Sequence, residues 1–436
     1  MSDTTREVPV SVYYDQSIYE RELENVFAKA WLFLGHESMI PKPGDYVTNF
    51  MGDDPVIVCR DKDGAMRVLL NRCRHRGNKV CLYDRGSSKT FLCTYHGWSY
   101  GTNGDLVGVP LQKEAYGDGF QRENFGLLAA PNVASYRGLI FASWSADVIP
   151  LEAYLGAELR WYLDTFVLDD PEGLEALPGC HRYIIPGNWK HLAENFGGDL
   201  YHFATTHASV VALGRQTAAG PAGPTHALSG GFAAPRQMYS VTFEDDHPPH
   251  GLMMLTVSDQ YALDLQEAEH LSSAAVDWVN RRNARRVDAV RDRTIKPAAY
   301  NIGTIWPNLS MAGFGAALSG RSFFVWHPRG PEETEMRQWC FVDKSAPPEV
   351  KARMSAVMTW RQSATGMVGT DDSDNFQRMR DALHTHRSID LDFNYDLGRS
   401  ADATPISDAL PGKLRPAITE AYQRAFFRYW HRIMGE

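Results

Sequence analysis

Two short segments, Cys73-x-His75 and Cys93-x2-His96, constrain this chain more than anything else in it, and seventeen residues separate them. Each pair sits at a turn flanked by strand-like runs, so a small β-domain must bring two loops face to face. Two thiolates and two imidazoles can hold one zinc ion. They can equally hold a Rieske [2Fe–2S] cluster, with both thiolates on one iron and both imidazoles on the other. The near-symmetric pairing favours the cluster, because each loop then offers one ligand of each type to a rhomb whose two irons need different ligands. Zinc fingers more often pair Cys with Cys and His with His at wider spacing. The remaining reading, four unrelated core residues, needs four soft ligands to fall at motif spacing by accident.

A second cluster of metal-ligand residues follows in Asn188 to His207, NWKHLAENFGGDLYHFATTH, where Asp199, His202 and His207 read D-x2-H-x4-H. Two imidazoles and a carboxylate are the ligand set of a non-haem Fe(II) site with positions open for dioxygen. Asp199 and His202, three apart, would share a helix face. His202 and His207, five apart, diverge by about 140° on an ideal α-helix. Both can serve one metal only if the helix is distorted, and a π-type turn is the expected distortion. Gly197 and Gly198 weaken a regular helix at the same place. The plainer alternative is two unrelated histidines on a core helix.

The rest of the composition narrows the class. A chain of 436 residues should form two domains, or one large domain with an insertion. Its 44% hydrophobic and 22% charged content is ordinary for a globular protein, and a net charge of −9 argues against nucleic acid as partner. No apolar run approaches a membrane span, and MSDTTREVPV lacks the basic and apolar regions of a signal peptide. Six cysteines, Cys59, Cys73, Cys81, Cys93, Cys180 and Cys340, are too sparse for a disulfide framework, and a reducing cytoplasm is the expectation.

Along the chain, residues 15–34 predict an amphipathic helix with Asp15 as N-cap. From Pro41 to Ser145 short β-type runs such as PVIVCR, MRVLLN and GLIFASW predict a small antiparallel β-domain. Helical periodicity returns at 150–168; residues 214–237 are rich in Gly, Pro and Ala, and EDDHPPHG at 244–251 reads as a loop in which His247 and His250 are solvated. Helices are expected at 266–293, 347–365 and 415–434, with strands at 300–311, 321–327 and 336–342. GFGAAL at 313–318 lacks the third glycine and the βαβ setting of a dinucleotide fingerprint.

CRHRGNKV at 73–80, CTYHGWSY at 93–100 and GNWKHLAENFGGDLYHFATTH at 187–207 together closely resemble the large subunit of Rieske-type aromatic-ring-hydroxylating dioxygenases. IWPNLS at 305–310 and the stretch from WCFVDK at 339–344 to GTDDSDNF at 369–376 extend the resemblance across most of the chain, in the family's order. It implies an α+β fold with a Rieske β-domain, near 38–148, inserted into a catalytic domain whose large antiparallel sheet surrounds helices (helix-grip, Bet v1-like). Residues 149–436 would form that catalytic domain, and 1–37 a helical segment packing with it. Carried over residue by residue, the resemblance makes Cys73, His75, Cys93 and His96 the cluster ligands and His202 and His207 mononuclear iron ligands. The iron's carboxylate would come from the DD pair, most closely Asp372, with Asp371, Asp374 and Asp199 as rivals. Asp199 resembles instead the family's bridging aspartate, which links an iron-ligand histidine to a Rieske histidine of a neighbouring subunit. Asn195 resembles a position beside the iron. Phe196, Phe203, Val211, Leu213, Met367 and Val368 are apolar candidates for a substrate pocket, or ordinary core.

The implied activity is addition of both atoms of O2 to one face of an aromatic ring, giving a cis-dihydrodiol. No flavin or nicotinamide motif is visible, so electrons from NAD(P)H would arrive through a separate reductase, usually by way of a ferredoxin, and then the Rieske cluster. A homotrimer is implied, with or without a small beta subunit as α3β3. Two other functions compete: a related monooxygenase or demethylase acting on a substituted or carboxylated aromatic, and a non-catalytic iron–sulfur electron carrier or zinc protein. From Arg72 to Lys89 six basic residues stand against the single acid Asp84, a local excess that suits docking of an acidic ferredoxin or simple compensation of cluster charge.

Overall fold

The computed structural model describes residues 7–210, 212, 237–243, 248–256, 260–313, 317–363, 365–366, 368–387, 391–402 and 410–435. Among these the chain divides into two compact units, Leu23–Leu151 and the remainder, to which Met1–Glu22 belongs. The sequence suggested a break near residue 38. Strand Leu32–His36 lies on the other side of that point because it pairs with Leu139–Ser143 in the sheet of the smaller unit.

The smaller unit is built of short antiparallel strands, as its turn-rich texture predicts. Asp45–Met51, Asp54–Arg60, Met66–Leu70 and Arg85–Ser87 form one four-stranded sheet; Thr90–Leu92, Ser99–Gly101 and Leu106–Gly108 form a three-stranded one. Their shared core holds Ile57, Leu69, Phe91, Trp98 and Tyr100 together with the thiols Cys73 and Cys93. The expected helix over 15–34 is shorter. It runs from Gln16 to Glu22, with Asp15 accepting from the N–H groups of Ser17 and Ile18, and gives way to a π-turn at Leu23–Phe27.

In the larger unit a nine-stranded antiparallel sheet runs in the order Leu174–Ala176, Glu333–Asp343, Arg321–Pro328, Leu309–Ala312, Ala299–Ile305, His250–Thr256, Gln237–Phe243, Lys413–Pro416. His181–Pro186 also pairs with Glu333–Asp343. Against this sheet lies the helix Trp189–Gly198, tied to it by the Thr304 hydroxyl, which donates to the Ala193 carbonyl at 2.8 Å. The C-terminal helix Ala421–Met434 packs on the same helix through Phe426, whose ring centroid is 5.8 Å from that of Trp189. Tyr422, Phe426 and Trp430 on its aromatic face are fully buried. Beneath them buried Glu22 accepts from Lys190 Nζ at 2.6 Å, Trp189 Nε1 at 2.9 Å and Trp430 Nε1 at 2.7 Å, pinning the N-terminal helix to these two helices. A carboxylate paired and hydrogen-bonded this fully tolerates burial that a lone charge would not.

Two expectations need correction. The helix over 266–293 is two helices, Gln260–Glu269 and Ser273–Ala289, the second started by the Ser272 side chain accepting from Ala275 N. His250 is no loop residue: it opens a strand, is fully buried, donates through Nε2 to the Tyr154 carbonyl and accepts through Nδ1 from Trp306 N. His247 and residues 214–236 lie outside the described residues.

Candidate metal centres

The two Cys–His loops are built alike. In each, the cysteine N–H donates to the carbonyl five residues on, Asn78 for Cys73 and Trp98 for Cys93, both at 2.8 Å. In each, the cysteine carbonyl accepts from a glycine four residues on, Gly77 or Gly97, with φ of +74° and +75°. That left-handed conformation is where a residue without Cβ is favoured. At Gly97 a Cβ would also stand 2.8 Å from Pro110 Cγ. The repeated turn buries both thiols and leaves the two imidazoles facing each other, ring centroids 4.4 Å apart. Trp98 stacks on His75 at 5.0 Å.

The electrostatics suit thiolate and neutral imidazole ligands. Burial opposes ionisation of Cys93, but the Tyr95 N–H, the Cys73 thiol, Asn78 and the His96 N–H outweigh it and lower the Cys93 pKa. Burial, helped by His96 and Arg76, lowers that of His75, whose buried Nδ1 has no partner within the described residues. Tyr100 Oη lies 3.2 Å from Cys73 Sγ, and Asn78 Nδ2 lies 3.8 Å from Cys93 Sγ; such polar contacts to sulfur tune a cluster's potential. Two buried thiols, two facing imidazoles and an orphaned ring nitrogen fit a [2Fe–2S] group.

The iron-type site forms where the sheet-bound helix fails. Asn188 caps its start, accepting from Lys190 N at 3.0 Å. Near its end Gly197 runs so close to the C-terminal helix that a Cβ would sit 1.8 Å from Tyr422 Cε1, so no larger residue fits without moving that ring. Asp199 then turns extended (φ −83°, ψ 100°), and the chain re-enters a single helical turn at Phe203–Thr206. His202 and His207 flank that turn. The expected π-type distortion is therefore absent; a break and restart aligns the two histidines instead, with ring centroids 5.3 Å apart. Asp199 Oδ1 accepts from Tyr201 N at 2.9 Å, while its Oδ2 lies 3.1 Å from His202 Nδ1.

The third donor comes from a distant helix, Gly369–Leu383, whose first turn carries Asp371 and Asp372 where the helix dipole favours negative charge. Asp372 Oδ1 is 3.5 Å from His202 Nε2 and 3.3 Å from His207 Nε2. Asp371 Oδ2 lies behind, 3.3 Å from His207 Nδ1. One donor atom each from His202, His207 and Asp372 falls within 4.8 Å of the others. Two imidazole nitrogens and a carboxylate oxygen at that separation fit a mononuclear iron. Asp199, nominated by the local spacing, meets the far nitrogen of His202 instead of joining this set. Burial alone would lower the His202 pKa, but Asp199 and then Asp372 outweigh it and raise it. Asp199 in turn is held below its usual range against burial, by His202 and by the N–H groups of His202 and Tyr201.

Around this centre the expected pocket residues separate. Phe196 is buried against Phe324 at 5.0 Å and Trp326 at 5.3 Å; Phe203 lies 5.5 Å from the His207 ring, and Val368 is buried. Val211, Leu213 and Met367 lie outside the described residues. A half-open cleft of about 490 Å³ adjoins the triad, and its wall includes Asn195, Asp199, His202 and Asp372 together with Glu194 and Tyr395. Sequence reasoning passed over Glu194, Asn78 and Tyr100 as participants, and named Asp371 only as a rival ligand. Asn78 and Tyr100 lay inside the quoted motifs, but only their closeness to the sulfurs gives them a role.

Residues 155–436 match the family described as "Ring hydroxylating alpha subunit (catalytic domain)", and residues 30–136 match the Rieske [2Fe–2S] domain. The biphenyl 2,3-dioxygenase subunit alpha of Rhodococcus jostii is 34% identical over 436 residues, covering 100% of this chain and 90% of its own. The chlorobenzene dioxygenase subunit alpha of a Cupriavidus species is 35% identical over 426 residues, covering 97% of this chain and 90% of its own. The solved structure of naphthalene 1,2-dioxygenase with indole in its active site superposes with a TM-score of 0.83 at 32% identity, covering 99% of this chain and 92% of that one. With two metal-type sites and relatives matching along its whole length, the chain belongs to the Rieske-type aromatic-ring-hydroxylating dioxygenases, as a large (alpha) subunit.

Proposed function

We propose that this subunit is the terminal oxygenase that adds both atoms of O2 to an aromatic ring, giving a cis-dihydrodiol. The observation that carries the reading is the convergence of His202, His207 and Asp372 within 4.8 Å, in a chain that also carries two matched Cys–His loops. Cys73, Cys93, His75 and His96 would hold the [2Fe–2S] cluster, and His202, His207 and Asp372 the iron. When bound, these groups supply one-electron transfer and reductive activation of dioxygen.

The chain's own residues do the rest. Asp371 orients His207 through Nδ1, and Asp199 orients His202 in the same way, holding each ring with Nε2 toward Asp372. Phe196, Phe324 and Trp326 form an apolar wall beside the site helix that suits an aromatic substrate and keeps water away. Electrons are supplied from NAD(P)H by a reductase, through a ferredoxin, to the cluster. A trimer of this chain, alone or with a small beta subunit, is the working unit, and Asp199 bridges His202 to His96 of a neighbouring copy.

Product analysis tests the reading. The holoenzyme with a reductase and ferredoxin is offered one- to four-ring arenes and benzoates. A cis-dihydrodiol from at least one arene is expected. Phenols or dealkylated products alone would replace the reading with a monooxygenase.

A further inference from the structure

Glu194 is a buried carboxyl that the mechanism above leaves without work. It lies on the site helix immediately before Asn195 and five residues before Asp199, and three polar side chains surround one of its oxygens. Tyr395 Oη donates to its Oε1 at 3.0 Å, and Tyr13 Oη lies 3.5 Å from the same oxygen. The two hydroxyls are 2.6 Å apart. His191 Nδ1 is 3.5 Å away on the same helix. Oε2 has no partner among the described residues, although Glu194 lines the cleft that also reaches Asp199, His202 and Asp372. An unsatisfied buried carboxylate oxygen is costly, and a proton on it removes most of that cost.

The charges around it favour the protonated form. Burial raises the Glu194 pKa well above the usual carboxyl range, Asp199 and Glu420 raise it further, and the two tyrosines only partly oppose them. His191, stacked on Tyr13 at 3.8 Å, is neutral: burial and Lys190 push its pKa down to about 3. Lys190 is occupied by Glu22 at 2.6 Å. From the C-terminal helix Gln423 Nε2 donates to the Glu194 backbone carbonyl and leaves the side chain alone. The half-open cleft of about 490 Å³, in which Asn195, Asp199, His202 and Asp372 are polar groups on an otherwise largely apolar lining, has room for several waters at roughly 30 Å³ each.

We propose that Glu194 is a proton donor to the oxygen chemistry, passing its proton through this cleft toward the side occupied by Asp199, His202 and Asp372. The proposal rests on the reading of this centre as an oxygenase. Arene, dioxygen, two electrons and two protons give the dihydrodiol. The electrons come from the donor protein, and the protons become the hydroxyl hydrogens. One of them leaves as the O–H bond of Glu194 breaks. The carboxylate left behind is held by the Tyr395 hydroxyl until it recovers a proton from solvent.

The test combines infrared spectroscopy of the resting holoenzyme with single-turnover kinetics in H2O and D2O. At neutral pH the unaltered protein should show the carbonyl stretch of a protonated carboxyl, lost in Glu194→Gln. With both metals bound, that variant should slow single turnover at least about tenfold and change its solvent isotope effect. A carboxyl that only braces the two tyrosines would lower stability and leave the isotope effect alone. Tyr395→Phe is the second variant, should Glu194→Gln fail to fold. It removes a donor that stabilises the carboxylate, so the Glu194 pKa rises and the alkaline fall in rate moves to higher pH. An infrared spectrum without the band overturns the proposal. So does a Glu194→Gln enzyme with unchanged rate and isotope effect, or an unmoved profile in Tyr395→Phe. Failure of the unaltered holoenzyme to oxygenate any arene would instead remove the underlying reading, whatever the infrared spectrum shows.

Discussion

Asp371 and Asp372 are adjacent in sequence and differ in what they touch. Asp372 Oδ1 faces the Nε2 atoms of both histidines, whereas Asp371 reaches only His207 Nδ1. Asp372→Ala should therefore lose mononuclear iron and keep the Rieske absorption spectrum. Asp371→Ala should keep the ligand set and bind iron about 10- to 100-fold more weakly. Iron titration followed by metal analysis checks both, and the reverse order of losses would shift the assignment by one residue. The two histidines were legible in the sequence because their spacing is local. The choice among Asp199, Asp371 and Asp372 was not, because no periodicity relates a helix near residue 200 to one near 370. It took the resemblance to a known family to favour Asp372, and the ion-pair distances give the physical reason.

Elements carry information that residue spacing hides. The D-x2-H-x4-H stretch reads on paper as one distorted helix, but the close approach of Gly197 to Tyr422 and the extended Asp199 end that helix and start another. The glycines signalled weakness there; only the packing of the C-terminal helix shows why glycine is needed. Strands were the more legible elements, since alternation and turn residues located Asp54–Arg60, Met66–Leu70 and Leu139–Ser143 almost to the residue. A buried knot of charge that no motif announces joins three elements of the larger unit. Asp169 accepts from Arg286 at 2.8 Å and Arg321 at 2.6 Å, lies 3.4 Å from Arg282, and Arg321 also reaches Asp343. Burial opposes the Asp169 charge, but Arg286, Arg282 and Arg321 overcome it and hold the pKa far below the carboxylate range. Because the folded-state value is depressed, the stabilisation is present above the unfolded pKa of about 3.9 and is lost as pH falls through and below it. Asp169→Asn should cost about 3–5 kcal/mol near neutral pH. Urea midpoints for that variant should also decline less steeply with acid than those of the unaltered protein. On the smaller unit, Lys79, Arg85 and Lys89 are all exposed, as are Leu82 and Tyr83 beside them. Reversing the three charges should slow reduction by an acidic ferredoxin and flatten its salt dependence in stopped-flow traces. Rates unchanged across salt would leave the basic excess with charge compensation alone.

At the scale of the whole molecule, the two metal-type sites lie in separate compact units. Asp199, which the family resemblance places between His202 and His96 of a neighbour, makes transfer between copies the expected route. Co-assembly of His96→Ala with His207→Ala subunits decides this. Activity should return in the mixture, since an intact cluster can face an intact iron, whereas transfer confined to one chain predicts none. Architecture at this scale was readable because two metal motifs and the strand-rich texture around one of them mark separate folding units. The boundary near Leu23 was not readable, because the pairing of Leu32–His36 with Leu139–Ser143 is a long-range contact that local pattern cannot register. The central claim, that one chain of this kind places both atoms of dioxygen on an aromatic ring, is tested most directly by a single turnover of the pre-reduced holoenzyme under ¹⁸O2. The account predicts a cis-dihydrodiol with ¹⁸O at both hydroxyls. A product carrying one labelled oxygen, the other drawn from water, would contradict it.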